Sequence, residues 1–234
     1  MKKLGIIGGL GPMATACFFE RIINMSKADC DQDHMEILIH NKPGIPKRVE
    51  YILGMSEENP GPVLAEVARG LQQAGAQMLA MPCVTAHYFY EEIAASVDIP
   101  MLNMVDETVK YLKGREIRSV GILGTQATVQ SGFLQKKLGE QGIRALAPSQ
   151  EGQEKINHLI FKELKVNREP DVSRLYEAAQ ELLEAGAQRI LLSCTDLSIL
   201  GQRVSFPSQY LDLMDILAMR AVEECGRLKA NPGL

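Results

Sequence analysis

Short apolar runs alternate along the chain with longer stretches in which apolar residues recur every three or four positions. The runs at residues 4–8, 35–40, 77–81, 119–123 and 189–193 are dominated by Ile, Leu, Val and Met, as strands buried on both faces are. Between and after them, residues 13–26, 62–74, 127–141, 153–165, 172–185 and 210–227 carry the helical period. Gly75 and Gly186 stop two of these helices, since glycine takes the left-handed conformation of a helix C-terminus at little steric cost. Strands separated by helices cannot pair as tight hairpins and predict parallel sheets covered on both faces.

The pattern also repeats. Residues 70–83 align without a gap on residues 181–194 at an offset of 111, with six of fourteen positions identical: Leu71/Leu182, Ala74/Ala185, Gly75/Gly186, Ala76/Ala187, Gln77/Gln188 and Cys83/Cys194. Leu4-Gly5-Ile6-Ile7-Gly8 likewise matches Val120-Gly121-Ile122-Leu123-Gly124 at an offset of 116. Two matches in the same order predict an α/β protein of two pseudo-symmetric three-layer lobes with mainly parallel sheets and the functional cleft between them. The expected division is residues 1–103 plus 208–234 for the first lobe and 104–207 for the second, with the last helix, after Pro207, returning to the first.

Composition narrows the class. A chain of 234 residues with 46% hydrophobic and 23% charged positions is long and apolar enough for a packed core. Lys and Arg number 25 against 29 Asp and Glu, a net −4 without long like-charge blocks, so nucleic acid is not an expected partner. Five cysteines without a C-x-x-C pair argue against a disulfide framework or zinc ribbon and for free thiols in a reducing compartment. Lys2, Lys3 and the apolar residues up to Ala14-Thr15-Ala16-Cys17 imitate a lipoprotein-type signal, but Gly8, Gly9, Gly11 and Pro12 would break an inserting helix. A cytoplasmic location without membrane partners is the expectation.

Ligands of doubly wound sheets collect at the carboxyl ends of strands. Cys83 and Cys194 each end an apolar run and open a polar one, Cys83-Val84-Thr85-Ala86-His87 and Cys194-Thr195-Asp196-Leu197-Ser198. Exposed N–H groups and the helix dipole at such a point favour the thiolate. A free cysteine is often only a small buried hydrophobe, and Cys17, Cys30 and Cys225 are read so. Two thiols at equivalent repeat positions, with hydroxyl and ionisable neighbours, point instead to chemistry. Inverting a carbon stereocentre takes a base on one face and an acid on the other, which two quasi-identical lobes supply. One thiolate removes the Cα proton and the opposite thiol returns one, with the carbanion stabilised by backbone donors and cations and no metal or pyridoxal phosphate required.

These residues resemble the cofactor-independent aspartate/glutamate racemases over nearly the whole chain. The resemblance rests on Gly8-Gly9-Leu10-Gly11-Pro12-Met13-Ala14-Thr15, Met81-Pro82-Cys83-Val84-Thr85-Ala86-His87, Gly121-Ile122-Leu123-Gly124-Thr125 and Ser193-Cys194-Thr195-Asp196-Leu197 together. It implies a two-lobed enzyme, usually a homodimer, that interconverts the enantiomers of an acidic amino acid with a cysteine from each lobe. Cys83 and Cys194 then match the acid/base pair, Thr85 and Thr195 hydroxyls that hold the substrate carboxylate, and Met13 and Thr125 pocket-lining positions. Arg48 matches an arginine that grips the distal carboxylate, a task suited to a planar, always-charged fork. Lys165 matches a lysine that some members bring to the same carboxylate, and His87 and Asp196 are supporting residues.

Departures leave the substrate open. Most relatives carry Asn at Val84, where the amide binds the α-substituents, and read Gly-Cys-Thr-Glu where this chain has Ser193-Cys194-Thr195-Asp196. Lys47 and Val49 flank Arg48 where relatives often have Asp and Thr, and residues 212–217 replace an Asp-Thr-Thr…His run. The expectation is conserved cysteine chemistry. Racemisation of another amino acid or small carboxylate, or a catalytically silent binding protein with the same cleft, stands as the alternative. Two competing motifs are weaker. Gly9-Leu10-Gly11-Pro12-Met13-Ala14 fits a dinucleotide fingerprint, yet the second strand ends in His40-Asn41 with no acidic residue for a ribose. His87 four residues after Cys83 suggests a metal pair without a second pair of ligands; it is read instead as orienting the thiol or capping a helix.

Overall fold

The computed structural model describes residues 1–231 as two parallel sheets with helices between and around them. The first sheet, ordered β2-β1-β3, contains β1 (Leu4–Gly8), β2 (Ile37–Asn41) and β3 (Met78–Ala80). The second, ordered β5-β4-β6-β7, contains β4 (Ser119–Leu123), β5 (Arg144–Leu146), β6 (Arg189–Leu192) and β7 (Tyr210–Asp212). Met101 makes a single parallel bridge to Leu79 on the side of β3 that β7 occupies on β6, so the two halves share one topology. In chain order, the first half carries α1 (Pro12–Met25), α2 (Arg48–Ile52), α3 (Gly61–Gln73), α4 (Tyr90–Ala94) and α5 (Met104–Gly114). The second carries α6 (Gln126–Gln130), α7 (Phe133–Gly139), α8 (Gln150–His158), α9 (Ser173–Glu184), α10 (Thr195–Ser198) and α11 (Leu213–Cys225).

The repeat identities have mechanical reasons. Leu71 and Leu182 lie over Gly5 and Gly121, where an added Cβ would come within 3.3 and 2.8 Å of the leucine Cβ, so glycine lets α3 and α9 approach their strands. Gly75 and Gly186 adopt φ of 92° and 95° as the helices end, and the next residues close a six-to-one bond from Ala76 N to Leu71 O and from Ala187 N to Leu182 O, both at 3.0 Å. Gln77 and Gln188 then turn their side-chain oxygens onto the backbone N–H groups of Lys3 (2.9 Å) and Arg118 (2.7 Å), pinning the first strand of each sheet. Alternation across the strands divides the core. Ile6 and Ile122 face a central cluster with Phe18, Met104, Leu112 and Leu217 from α1, α5 and α11. Ile7 and Leu123 face outer clusters under α3 and α9 respectively.

Three sequence expectations are corrected. The segment expected as one helix over 127–141 breaks into α6 and α7 at Gly132, which is left-handed with φ of 69°. The helix expected over 153–165 begins earlier, where the Ser149 side chain accepts from Gly152 N, and loosens into a π-helical turn, Leu159–Glu163, and a 3₁₀ turn, Leu164–Val166. The helix expected over 210–227 opens instead as β7, which pairs with β6, and only then becomes α11. α11 packs on α1 and α5. Arg21 of α1 fastens this junction, donating to Asp212 (2.8 Å), Asp215 (2.5 Å) and the Ser198 carbonyl at the end of α10 (2.9 Å). Among the described residues no helix is long and apolar enough to cross a membrane.

Candidate active site

Both repeat cysteines stand where a parallel strand runs out. Beyond β3 the chain passes Met81 and Pro82 to Cys83, and beyond β6 Ser193 leads to Cys194, the residue that caps α10. Each thiol-bearing residue is 6% exposed, and both line one cleft of about 670 Å³ formed by the strand ends of the two halves, a volume in the range of small-molecule sites. Thr85, Thr125, Thr195, Arg48, Lys165, Asp196, Met13 and Val84 line the same cleft. Met13 sits at its mouth, 60% exposed. Val84 is buried in the central core and presents little of itself to the cleft, so what its presence changes is the absence of a polar side chain there.

The surroundings of the two cysteines differ. Next to Cys83, the hydroxyls of Thr85, Thr125 and Thr128 share hydrogen bonds of 3.1, 3.0 and 3.0 Å in a closed triangle that ties the loop after β3 to the loop after β4. Thr128 was not singled out from the sequence. Its signal is Thr-x-x-Thr after a strand, for Thr125 caps α6 and accepts from Thr128 N, which brings the second hydroxyl onto the same face. His87 lies behind the cysteine and outside the cleft lining. Its Nδ1 donates to the Cys83 carbonyl at 2.8 Å and its Nε2 accepts from Met104 N at 3.0 Å, at the start of α5. Burial pushes its pKa down to about 4, so the ring is neutral, with both nitrogens committed to backbone. His87 therefore positions the Cys83 loop and caps α5. It does not hydrogen-bond the thiol, and it has no nitrogen left for a metal.

Around Cys194 the groups are charged. Its Sγ donates to Asp196 Oδ2 at 3.6 Å, and the same carboxylate meets Lys165 Nζ at 2.5 Å. Burial first, and then the Asp196 carboxylate, push the Cys194 thiol above its ordinary pKa, with Lys165 pulling the other way. Burial acts to lower the Lys165 pKa, but Asp196 and Cys194 outweigh it and hold the ammonium above its ordinary value. The π-helical turn delivers Lys165 to this place by shifting the register of the helix that follows α8. Arg48 opens α2, and its guanidinium donates to the carbonyls of Pro46 (3.0 Å), Ile45 (3.3 Å) and Leu10 (3.3 Å), lacing the loop before α2 to the loop after β1.

Two similar α/β halves that each contribute a strand-end thiol and a threonine hydroxyl to one shared cleft define a class of two-lobed, paired-cysteine proteins. Residues 7–221 match the family described as Asp/Glu/Hydantoin racemase, and the chain belongs to it. The broad specificity amino-acid racemase RacX of Bacillus subtilis is 28% identical over 223 residues, 94% of this chain and 96% of that one. Among solved structures, an aspartate racemase of Picrophilus torridus superposes with a TM-score of 0.83 at 30% identity, covering 99% of this chain and 98% of the other. Glutamate racemase of Francisella tularensis, solved with D-glutamate, shares the fold at a TM-score of 0.67 and 12% identity, over 95% of this chain and 80% of that one. At this level the protein is an isomerase of the amino-acid racemase class.

Proposed function

We propose that the protein interconverts the enantiomers of a free α-amino acid by a two-base mechanism, with Cys83 and Cys194 as the acid/base pair. The observation that carries this reading is the arrival of both repeat cysteines, each nearly buried, in the lining of one cleft. For one enantiomer the Cys83 thiolate takes the Cα proton. The C–H bond breaks, an S–H bond forms, and the electron pair delocalises into the carboxylate as an enediolate. The Cys194 thiol, held protonated by burial and Asp196, then gives its proton to the opposite face. In the reverse direction the pair starts from the state this leaves: the Cys194 thiolate, beside the Lys165–Asp196 pair, takes the Cα proton, and the Cys83 thiol gives its own to the other face. Hydroxyls of Thr85, Thr125 and Thr195 hold the carboxylate and stabilise the enediolate. The scheme calls for no cofactor.

A second reading, which rests on the likeness to aspartate racemases, is an acidic substrate with Arg48 of the cleft lining as its counter-ion. The homodimer that the resemblance implies and the cytoplasmic location expected from the sequence belong to the same proposal, and sedimentation at micromolar concentration tests the first. The activity itself is tested by chiral chromatography of single enantiomers of acidic and neutral amino acids after incubation with the purified protein. Appearance of the opposite enantiomer is expected. Tight binding by calorimetry without any interconversion would make the protein a silent binder instead.

A further inference from the structure

From the charge arrangement of the cleft, and resting on the racemase reading above, we infer that the substrate is an α-amino acid with a large, electrically neutral side chain. Three cations line the cleft, and two of them face a carboxylate that lines it too: Lys47 bonds Glu50 at 2.6 Å and Lys165 bonds Asp196 at 2.5 Å. The third, Arg48, already spends three of its five N–H donors on the carbonyls of Ile45, Pro46 and Leu10. Among the described residues its charge is the one surplus in the lining, and formation of one cysteine thiolate cancels it.

A zwitterion with a neutral side chain enters such a site without disturbing the balance. A second carboxylate on the substrate adds one uncompensated negative charge beside Glu50, Asp196 and the thiolate. The other polar groups available to a side chain are neutral. Gln126 and Asn157 line the cleft and bond each other, Gln126 N to Asn157 Oδ1 at 3.2 Å. Apolar Leu53, Met55, Phe161, Leu164 and Ile199 are among the remaining side chains that line it. The volume of about 670 Å³ is several times what an aspartate fills, so a short side chain would leave much of this apolar surface in contact with water.

The test is Cα–H exchange in D₂O, followed by proton NMR with leucine, methionine, aspartate, glutamate and lysine at matched concentrations. Leucine and methionine are expected to exchange with kcat/KM at least about tenfold above aspartate and glutamate, and above lysine. Faster exchange of an acidic amino acid, or of lysine, overturns the inference while leaving the racemase reading intact. Absence of exchange with every compound overturns both. A Glu50→Gln variant, altered at an exposed pair, isolates the electrostatic part. Freeing Lys47 is expected to raise the glutamate-to-leucine ratio of kcat/KM by roughly threefold. An unchanged ratio would show that charge balance does not set the preference.

Discussion

The Cys83 loop and the Cys194 loop are the same device built twice and then finished differently. Each places a thiol at the end of a parallel strand, after a helix stopped by glycine and a glutamine that pins the neighbouring strand. The first loop is fixed by neutral groups, a threonine triangle and an uncharged His87. The second is fixed by an ion pair, Lys165 with Asp196, one member of which also accepts from the thiol. The repeat thus conserves where sulfur stands and leaves free how its proton is held. In a two-base mechanism that asymmetry makes the two proton transfers unequal even though the backbone is nearly symmetric.

The largest effect follows from removing either sulfur. Cys83→Ala and Cys194→Ala are each expected to lower racemisation by roughly 10²–10⁴, since one acid/base group is worth about that much. A chiral assay checks it, and a single-cysteine variant with near wild-type turnover would break the pairing.

The next effect separates the loops by stability. His87 has a folded pKa of about 4, below the ordinary value of 6.5, so the unfolded chain takes up this proton first as pH falls. Its contribution is fully present above pH 6.5 and lost towards pH 4, about 3 kcal/mol in all. Gln in its place can donate to the Cys83 carbonyl and accept from Met104 N without titrating. Urea unfolding across that window is therefore expected to show the wild type losing stability relative to His87→Gln, and parallel curves would contradict the neutral, buried assignment.

The smallest effect concerns Asp196. Asp196→Asn removes the carboxylate that raises the Cys194 thiol and leaves Lys165 unopposed, so the limb of the pH–rate profile set by Cys194 is expected to move towards acid. The accompanying rate loss is about tenfold. The Cys83 loop offers no carboxylate for an equivalent change, and an unmoved profile would mean that the two thiols are electrostatically alike after all.

How much of this was legible in the sequence follows from where the information sits. β1 and β4 were readable because central parallel strands bury every residue and so appear as unbroken apolar runs. β5 was missed because it is a three-residue edge strand containing exposed Arg144, and β7 because Tyr210–Asp212 runs straight into a helical pattern. α5 was missed although Asn103 caps it with two bonds, to Val105 N and Asp106 N. The cleft positions of Cys83 and Cys194 followed from strand ends, a local signal, and those of Thr85, Thr125 and Thr195 from the family resemblance. The Lys165–Asp196 contact depends on a π-helical turn with no sequence signature, and the role of His87 depends on Met104, seventeen residues away. Long-range partners such as these emerge only when the chain is folded.

The most direct test of the two-thiol claim is an isotope experiment at early conversion. A single protiated enantiomer of methionine is incubated with the protein in D₂O, the two enantiomers are separated, and deuterium at Cα is measured in each. Two bases on opposite faces predict a product that carries deuterium while the remaining substrate stays protiated. Deuterium appearing in the unconverted substrate at the rate of racemisation would mean that one base serves both faces, and would contradict the account.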